Sequence, residues 1–419
     1  MKVVKRDGTE VDFQGEKIRN AILKAFIDKG YTINATIDDF VAKVESEIES
    51  LNKTLNVEEI QDIVVKKLMS SKYKDVASAY IEYRALHEMA RNQYKELMNA
   101  VSEKLMASDV QNQNANVDEK SFGGRIGEMA DLVAKKYALD YLISPMAKAN
   151  HLNNEIYIHD LGHYATGDHN CLSVPFDKLL AQGFNTRQTD VRPAQSINTA
   201  FQLVAVIFQL QSLQQFGGVS ATHLDWTMVP YVRKSFVKHW NDGCKYIEGT
   251  LIRGIPPINA SIEDDYFKKM PKAYQYALDM TTKECYQAVE GMYHNLNTLQ
   301  SRSGNQLPFT SINYGTCTLP EGRMVIKALL EGSINGVGEH HLTPIFPCGI
   351  FQCMKGVNRK EGEPNYDLFK LALESTSQRI YPNYVNVDWS VNAGYDPNNP
   401  RTYTATMGKR KLQLIAKIS

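Results

Sequence analysis

Apolar and polar residues alternate over the start of the chain. Two valines precede the turn sequence RDGT, and Val11 and Phe13 alternate with polar residues after it. An Asp-Gly pair tolerates positive φ and favours two-residue hairpin turns, so Asp7 and Gly8 mark the expected turn. The pattern therefore predicts a small β-hairpin over residues 1–13.

Helical spacing follows the hairpin at once. Apolar residues recur every three or four positions over 18–26 and again over 37–51. A third helix is predicted to begin at Asn56, which can cap it together with Glu59 three residues later. A fourth is predicted over 75–105. A hairpin and four helices would make a compact unit of roughly ninety residues, a common domain size.

The chain continues into a longer α/β pattern. The text from 107 to 124 is rich in Asn, Gln and Asp and poor in apolar residues, which is typical of a linker. Beyond it, helical patterns alternate with strand-like runs: 125–150, 195–216 and 264–302 against EIYIHD and TSINYG. Such alternation predicts an α/β fold, with a barrel as one form of it.

We divide the chain into a first domain, a linker, a second domain and a tail, with bounds 1–95, 96–120, 121–408 and 409–419. The length of 419 residues agrees with two or three domains, because a single core rarely grows so large. The tail is Lys-rich and carries no turn or cap signal.

Charge and composition exclude several classes of protein. Lys plus Arg and Asp plus Glu both number 47, so there is no excess positive charge for nucleic acid or a membrane surface. The start of the chain lacks the apolar core of a secretory signal. The most apolar run, 201–210, is far shorter than the roughly 20 residues of a membrane span. Six widely spaced cysteines do not resemble a disulfide framework. We expect a cytoplasmic protein without nucleic-acid or membrane partners.

Basic residues cluster around the predicted hairpin. Lys5 and Arg6 lie beside its turn, and Lys17 falls in the first turn of the next helix. Phosphates need fixed cations and free backbone N–H groups, and a helix N-terminus supplies the latter. The residues alone leave two interpretations open, a phosphate site or a solvated basic hairpin.

The same segment resembles a known regulatory module. The text KRDG, Phe13, KI at 17–18 and VASAYIEYR at 76–84 resemble the ATP-cone, which stands at the front of many ribonucleotide reductases. The resemblance implies that ATP or dATP binds here as an allosteric on/off signal. It implies nucleotide contacts at six positions: Val3, Lys5, Arg6, Val11, Phe13 and Lys17.

Potential metal ligands are concentrated within residues 159–171. They are His159, Asp160, His163, Asp168, His169 and Cys171. These residue types can ligate zinc, but their spacing fits neither an HExxH helix nor a Cys-x-x-Cys knuckle. We therefore expect no metal in this chain. A metal-dependent hydrolase using His159, His163 and His169 stays open as an alternative.

The second domain resembles anaerobic (class III) ribonucleoside-triphosphate reductases. The runs GGRIGE, NEIYIHDLGHYATG and CLSVPF are similar to the opening of that family's catalytic barrel, and PFTSINYGT and LTPIFPCGIFQCMKGVN are similar to later parts. The resemblance implies an incomplete ten-stranded α/β barrel of the glycyl-radical type. It places Cys171 on the first barrel strand, facing the substrate ribose as proton or hydrogen donor while the 2′-hydroxyl leaves. Burial would suit this role by keeping the thiol neutral.

Other positions carry weaker expectations. Ser311 and Asn313 are candidate ribose or phosphate contacts, since both side chains can donate and accept hydrogen bonds, but they could equally cap a strand end. Cys348 and Cys353 are expected to be packing residues. The text at 193–236 resembles the family's dimer helices, which implies a homodimer and deoxynucleotide effectors.

The end of the sequence departs from the family. The family's inner loop reads like Met-Gly-Cys-Arg, and its cysteine becomes the thiyl radical. Here Thr406, Met407, Gly408 and Arg410 keep that frame, and Lys409 stands at the thiyl cysteine position. We expect an N-terminal fragment that is inactive alone and exposes a strand edge, which lowers solubility.

The resemblance also implies what the complete enzyme would use. Its substrates would be ribonucleoside triphosphates, and a radical-SAM activating enzyme would generate its glycyl radical. That radical and the family's structural zinc site are expected to be missing from this chain. A sequencing error, a pseudogene and a split gene stay open, as do formate and a redox protein as electron donor. A stand-alone nucleotide-binding regulator is the alternative function.

Overall fold

A computed structural model describes residues 2–6, 8–106, 121–250, 259–302, 305–389, 394–407 and 411–413. The chain forms two compact units, Met1–Glu103 and Lys104–Ser419. Within the described ranges, no helix combines the length and the apolar character that crossing a bilayer requires.

The first unit packs a small sheet against helices. Its described strands are β1 (Lys2–Val4), β2 (Glu10–Asp12) and β3 (Leu55–Asn56). Strand β1 lies in the middle, antiparallel to β2 and parallel to β3. Its described helices are α1 (Gly15–Asp28), α2 (Ala35–Ser50), α3 (Val57–Ser70) and α4 (Lys74–Leu105). The predicted hairpin and helices are confirmed, whereas strand β3 was not predicted.

The hairpin turn is wider than predicted. The N–H of Gly8 donates to the carbonyl of Lys5 at 2.9 Å, and the N–H of Lys5 donates to Thr9 at 2.8 Å. Gly8 has φ 83°, a left-handed conformation that costs glycine little. The loop therefore includes one residue before the expected Asp-Gly pair, and Asp7 itself lies outside the described residues.

Helix α3 begins as the sequence predicts. The side chain of Asn56 accepts the N–H of Glu59 at 2.8 Å, and the Glu59 carboxylate accepts the N–H of Asn56 at 2.8 Å. This reciprocal pair is a capping box, which satisfies donors that the first turn leaves without partners. Helix α4 continues to Leu105, so residues 96–105 of the expected linker are helical, and residues 107–120 lie outside the described part.

The second unit is a mixed α/β structure. Its described strands are β4 (Leu172–Ser173), β5 (Phe184–Asn185), β6 (Asp190–Val191), β7 (Val219–Ala221), β8 (Thr310–Tyr314), β9 (Cys348–Cys353), β10 (Asn383–Asn386), β11 (Ala405–Met407) and β12 (Lys411–Gln413). Its described helices are α5 (Phe122–Tyr137), α6 (Pro145–Leu152), α7 (Phe176–Gln182), α8 (Ile197–Ser212), α9 (Leu224–Tyr246), α10 (Asp265–Lys268), α11 (Pro271–Thr298), α12 (Pro320–Asn335) and α13 (Tyr366–Arg379).

A parallel sheet organises this unit. In the described chain its strand order is β10-β9-β8-β7-β4, and every neighbouring pair is parallel. Strands β5 and β6, and strands β11 and β12, form two separate antiparallel pairs. The predicted α/β class is confirmed, and the predicted TSINYG strand is β8.

One strand prediction is wrong. The run EIYIHD contains no strand, because its backbone bonds locally to the end of α6. The N–H of Glu155 donates to the carbonyl of Asn150 at 2.9 Å, and the N–H of Ile158 donates to His151 Nδ1 at 3.3 Å. Asp160 then adopts φ 52° and leads into a single 3-10 turn. These local bonds leave no edge for a neighbouring strand.

Two predicted helices are interrupted. The 125–150 helix passes through a π-helical turn at Ala138–Leu142, and α6 starts anew at Pro145. The 264–302 helix divides at Pro271, which opens α11 because proline lacks the N–H that a helix interior requires. Each break coincides with a proline at the first position of a helix, where it is well tolerated.

The core lies where helices cover one face of the sheet. Aromatic side chains from α8 and from the strands are fully buried there, among them Phe201, Phe208, Tyr314 and Phe351. Parallel sheets are normally covered on both faces. The opposite side of the sheet contacts β11, which lies against β7 and β8.

A buried carboxylate holds the junction after β8. Asp225 stands in the first turn of α9 and is fully buried. Its Oδ2 accepts the N–H groups of Gly315, Thr316 and Cys317 at 2.9–3.0 Å, and its Oδ1 accepts that of Trp226 at 3.0 Å. Burial raises the pKa of the Asp225 carboxyl, while the four N–H groups oppose that rise.

We predict that Asp225→Ala destabilises the second unit by roughly 3 kcal/mol or more, because three buried N–H groups lose their acceptor. Asp225→Asn should cost less, since its amide oxygen can still accept. Urea unfolding of both variants measures the effect. The control is Glu290→Ala, which removes an exposed carboxylate from α11. Equal midpoints for Asp225→Ala and the control would contradict the assignment.

Candidate functional site

The hairpin of the first unit presents cations beside a helix start. The side chains of Lys5, Arg6 and Lys17 are exposed, and Lys17 lies in the first turn of α1. Gln14 precedes that helix, and among the described residues its side chain forms no capping hydrogen bond. An uncapped helix start next to fixed cations can receive a phosphate.

The other predicted nucleotide contacts are packing residues as well. Val3 is buried and pairs with Val11 across the hairpin. Val11 and Phe13 pack against the apolar core of the unit. These three side chains therefore hold the hairpin in place.

Arg6 already has an ionic partner. Its Nε lies 2.6 Å from Glu58 Oε1, and Glu58 is shared with Arg84 at 2.8 Å. Arg84 also contacts Asp62 at 2.5 Å. Burial works to raise the pKa of Glu58, but the guanidinium groups of Arg6 and Arg84 outweigh it and lower the pKa. Arg6 is thus held in a fixed direction before any nucleotide binds.

A cavity of about 270 Å³ lies between α1 and α4. Its ionisable lining consists of Lys24, Asp28 and Glu82, together with two tyrosines. None of the six predicted contacts lines it.

Cys171 stands directly before β4, at the amino-terminal edge of the sheet. Its thiol is partly buried and lies 3.3 Å from Asn170 Oδ1. The neighbouring strand approaches closely here, because a Cβ on Gly217 would lie 1.3 Å from the carbonyl oxygen of Asn170. Only glycine fits at this position, so the start of β7 fixes the backbone beside the thiol.

Asn170 also lines a large cavity. The cavity has a volume of about 740 Å³ and lies between α5, the 160–170 segment and the residues that precede β7 and β8. Arg302 and Asp160 both line it. A space of this size is within the range of small-ligand sites.

Arg302 is the partly buried cation of this cavity. Its guanidinium lies 3.9 Å from the centre of the Phe309 ring, and Nη1 donates to Gln306 at 2.8 Å. Burial lowers the pKa of Arg302 to about 10, and the nearby Asp160 carboxylate partly opposes this fall. The group stays cationic at neutral pH and can bind an anion.

The histidines of the 159–171 cluster point to structural roles. His163 Nδ1 lies 3.0 Å from Asp168 Oδ2, and its ring stacks on Phe216. His159 is exposed and pairs with Asp160. No three His, Cys, Asp or Glu side chains converge as metal ligands in the described ranges. The geometry gives the metal-dependent hydrolase no support.

Ser311 and Asn313 lie on β8 and are buried. The amide of Asn313 is fully engaged with protein: Nδ2 donates to Ser220 Oγ, Ala221 O and Thr406 O at 3.0–3.2 Å, and Oδ1 accepts the N–H of Thr406 at 3.1 Å. Its position in a sheet strand was predicted, but this pairing with β11 was not.

Gln352 is a site residue that the sequence did not reveal. It lies on β9, fully buried, and its Nε2 donates to the carbonyl of Thr404 at 3.0 Å. The only available signal was a glutamine inside the apolar run GIFQC. Arg302 and Asn170 were also missed: the side-chain partners of each are near in sequence, but only the folded chain brings the two residues to one cavity.

Lys409, the residue at the predicted thiyl position, lies outside the described residues. The last described residue before it is Met407, which pairs with Lys411 in the β11–β12 hairpin. Residues 411–413 of the expected tail are therefore a paired strand.

Comparison with known proteins identifies the class. A model of the anaerobic ribonucleoside-triphosphate reductase family matches residues 113–413, and an ATP cone domain model matches residues 1–89. The chain therefore belongs to the anaerobic ribonucleoside-triphosphate reductase family, and its first unit carries an ATP cone domain. Both resemblances stated from the sequence are confirmed.

Individual relatives agree with this assignment. The chain is 31% identical to the anaerobic ribonucleoside-triphosphate reductase of Haemophilus influenzae and 32% identical to that of Escherichia coli K12, covering 92% of this chain in each case. It covers 52% and 51% of those proteins, so it spans about half the length of the curated relatives it matches. The anaerobic ribonucleotide reductase of Thermotoga maritima, solved with dATP and CTP, aligns at 14% identity and a TM-score of 0.45, over 73% of this chain and 50% of that one.

We predict that acid weakens the second unit through His223. This side chain is largely buried, 4.0 Å from Asp177 and 2.7 Å from Thr222 Oγ1. Burial lowers the pKa of His223, with Arg401 lowering it further and Asp177 opposing. Because the unfolded state then binds a proton more readily, stability should fall as pH drops below about 6.5, by at most about 1.4 kcal/mol per pH unit.

Urea unfolding of the wild type and of His223→Gln at pH 7.5 and pH 5.5 tests this. The variant should lose less stability on acidification than the wild type. Identical losses in both proteins would show that other groups set the acid response.

Proposed function

We propose that this chain is the nucleotide-sensing and substrate-facing part of an anaerobic ribonucleoside-triphosphate reductase. Such an enzyme converts ribonucleoside triphosphates into 2′-deoxyribonucleoside triphosphates, the precursors of DNA. The observation that carries the proposal is the family match over residues 113–413. That range includes Cys171, whose hydrogen-bond acceptor Asn170 lines the large cavity, although Cys171 itself is not among the lining residues.

Cys171 would act on the ribose. Its thiol would donate the proton with which the 2′-hydroxyl leaves as water, a role for a thiol held near the sugar. The hydrogen bond to Asn170 orients the Sγ, and the close approach of Gly217 fixes the backbone. The stored radical of the family supplies the one-electron chemistry, and the protein contributes binding and orientation.

The large cavity would hold the substrate. Arg302 is held by Phe309 and Gln306 in one direction, which suits an anionic group such as a phosphate. Ser311 remains a candidate ribose contact. Asn313 is engaged with Thr406, so a direct substrate contact there would require it to exchange partners.

The first unit would bind ATP or dATP as allosteric effectors. Lys5, Arg6 and Lys17 supply the cations, and the start of α1 supplies N–H donors. Such a module regulates by favouring one assembly over another, and its effect is limited by the difference in nucleotide affinity between the two states.

The remaining family features extend the proposal. The parallel sheet would be half of a ten-stranded barrel, within the predicted domain at 121–408, and Lys409 would stand at the thiyl position. Leu210 and Leu213 are exposed apolar residues at the end of α8, which suits a homodimer contact near a deoxynucleotide effector site. A radical-SAM activating enzyme would be the partner of the complete enzyme.

Equilibrium dialysis with ATP and dATP tests the regulatory half. Wild-type chain should bind both nucleotides, and Arg6→Ala should bind them roughly ten- to hundredfold more weakly, because a charge-assisted hydrogen bond is lost. Lys29→Ala, an exposed lysine at the other end of α1, is the matched control and should bind normally. Equal affinity of Arg6→Ala and the control would refute the assignment.

Dialysis with CTP, a ribonucleoside triphosphate, tests the substrate half. The chain should bind CTP, and Arg302→Leu should weaken this binding without changing the affinity for dATP. Binding of ATP and dATP without any binding of CTP would instead favour a stand-alone nucleotide-binding regulator.

A further inference from the structure

The segment Tyr403–Thr406 crosses the sheet face that the core helices leave uncovered. Tyr403, Thr404 and Ala405 are each at most 5% exposed. The segment is not a member of the parallel sheet, and its described strand partner is β12. Buried backbone groups need hydrogen-bond partners, and side chains of the parallel sheet supply some of them in addition to the pairing with β12.

Two buried side chains supply these partners. Asn313 donates to the carbonyl of Thr406 at 3.1 Å and accepts its N–H at 3.1 Å. Gln352, on the next strand, donates to the carbonyl of Thr404 at 3.0 Å. A carboxamide offers the same donor and acceptor as a peptide group, so these two side chains replace the edge of a neighbouring strand.

The same carboxamides fix the level of the segment along β7. Gln352 Nε2 also contacts the carbonyl of Thr222 at 3.4 Å, so Thr404 lies at the level of Thr222. Asn313 Nδ2 also donates to the carbonyl of Ala221 at 3.0 Å, so Thr406 lies at the level of Ala221. The chain therefore runs antiparallel to β7.

This direction leads to the sheet edge that carries Cys171. Strand β7 begins at Val219, and Val219 pairs with Leu172, the residue after Cys171. Between Thr404 and Thr406 the segment moves one step towards that edge, and Met407 continues in the same strand. The described segment is thus directed towards the edge of the sheet at which Cys171 lies.

The opposite end of the segment is tied to the far edge of the sheet. Arg401 Nε donates to Asp177 Oδ2 at 2.7 Å, and Asp177 lies in the first turn of α7, just after β4. The chain is therefore held at three successive points, Arg401, Thr404 and Thr406, which follow one another from the carboxyl-terminal edge of the sheet towards its amino-terminal edge.

We propose that the buried carboxamides of Asn313 and Gln352 are positioning residues, which hold the backbone of Thr404 and Thr406 and so direct this segment towards the sheet edge that carries Cys171. The hydrogen bonds from Asn313 and Gln352 to this segment are features of the structure and do not depend on any assigned function. Their catalytic meaning rests on the proposed function, because only that assigns Cys171 to the reaction.

Hydrogen exchange of the full chain, followed by mass spectrometry, tests the proposal. In Asn313→Leu the amide of Thr406 loses its acceptor, and its exchange should accelerate about tenfold or more. In Gln352→Met the whole 403–407 peptide should exchange faster. Gln352 Oε1 is buried with no partner within the described chain, so its removal offsets part of the cost of the lost contact to Thr404, and protection elsewhere in the sheet should be retained.

Faster exchange confined to residues 403–407, with protection retained in the rest of the sheet, distinguishes a positioning role from general support of the fold. Thr310→Val is the matched control. Like Gln352→Met, it removes a buried oxygen that has no partner in the described chain, here a hydroxyl on β8. It should leave exchange in 403–407 unchanged. Unchanged exchange in Gln352→Met, or faster exchange only together with general loss of sheet protection, would overturn the proposal. ATP and CTP binding are measured separately, so failure of the proposed function would be recognised independently.

Discussion

The pairing between the Asn313 carboxamide and the backbone of Thr406 determines how the centre of the second unit is arranged. A parallel sheet needs cover on both faces, and helices cover only one face of this one. The other receives an extended segment whose buried backbone groups need hydrogen-bond partners. Asn313 and Gln352 satisfy it from the sheet itself. The polar contact that fills the interior therefore also fixes the direction of the chain there.

The two units divide the proposed chemistry between them. The ATP cone domain has cations and a helix start at its surface, where we propose that ATP or dATP binds. The second unit places Cys171 against Asn170, which lines a cavity together with the partly buried Arg302, held on Phe309. Desolvation strengthens charge interactions in such a cavity, which suits recognition of a substrate more than rapid sensing.

Local features of the fold could be predicted from the sequence, and distant contacts could not. The hairpin, the Asn56 capping box and strand β8 follow from signals within a few residues. The strand predicted for EIYIHD is wrong because local hydrogen bonds to the end of α6 compete with strand formation. Asn313 and Thr406 are 93 positions apart in the chain, and nothing in either local sequence indicates their pairing. Candidate residues such as Cys171 came from family resemblance, whereas Arg302 and Gln352 became visible only through packing.

The most direct measurement is a cross-link between the inner segment and the sheet edge. Lys409→Cys would be oxidised with diamide in the full chain, with Cys171→Ser as the matched background, and the disulfides mapped by mass spectrometry. We predict a disulfide between the introduced thiol and Cys171, and its yield should fall in the Asn313→Leu background. A disulfide with Cys348 or Cys353 instead, or the same yield with Asn313 removed, would contradict a segment aimed at Cys171.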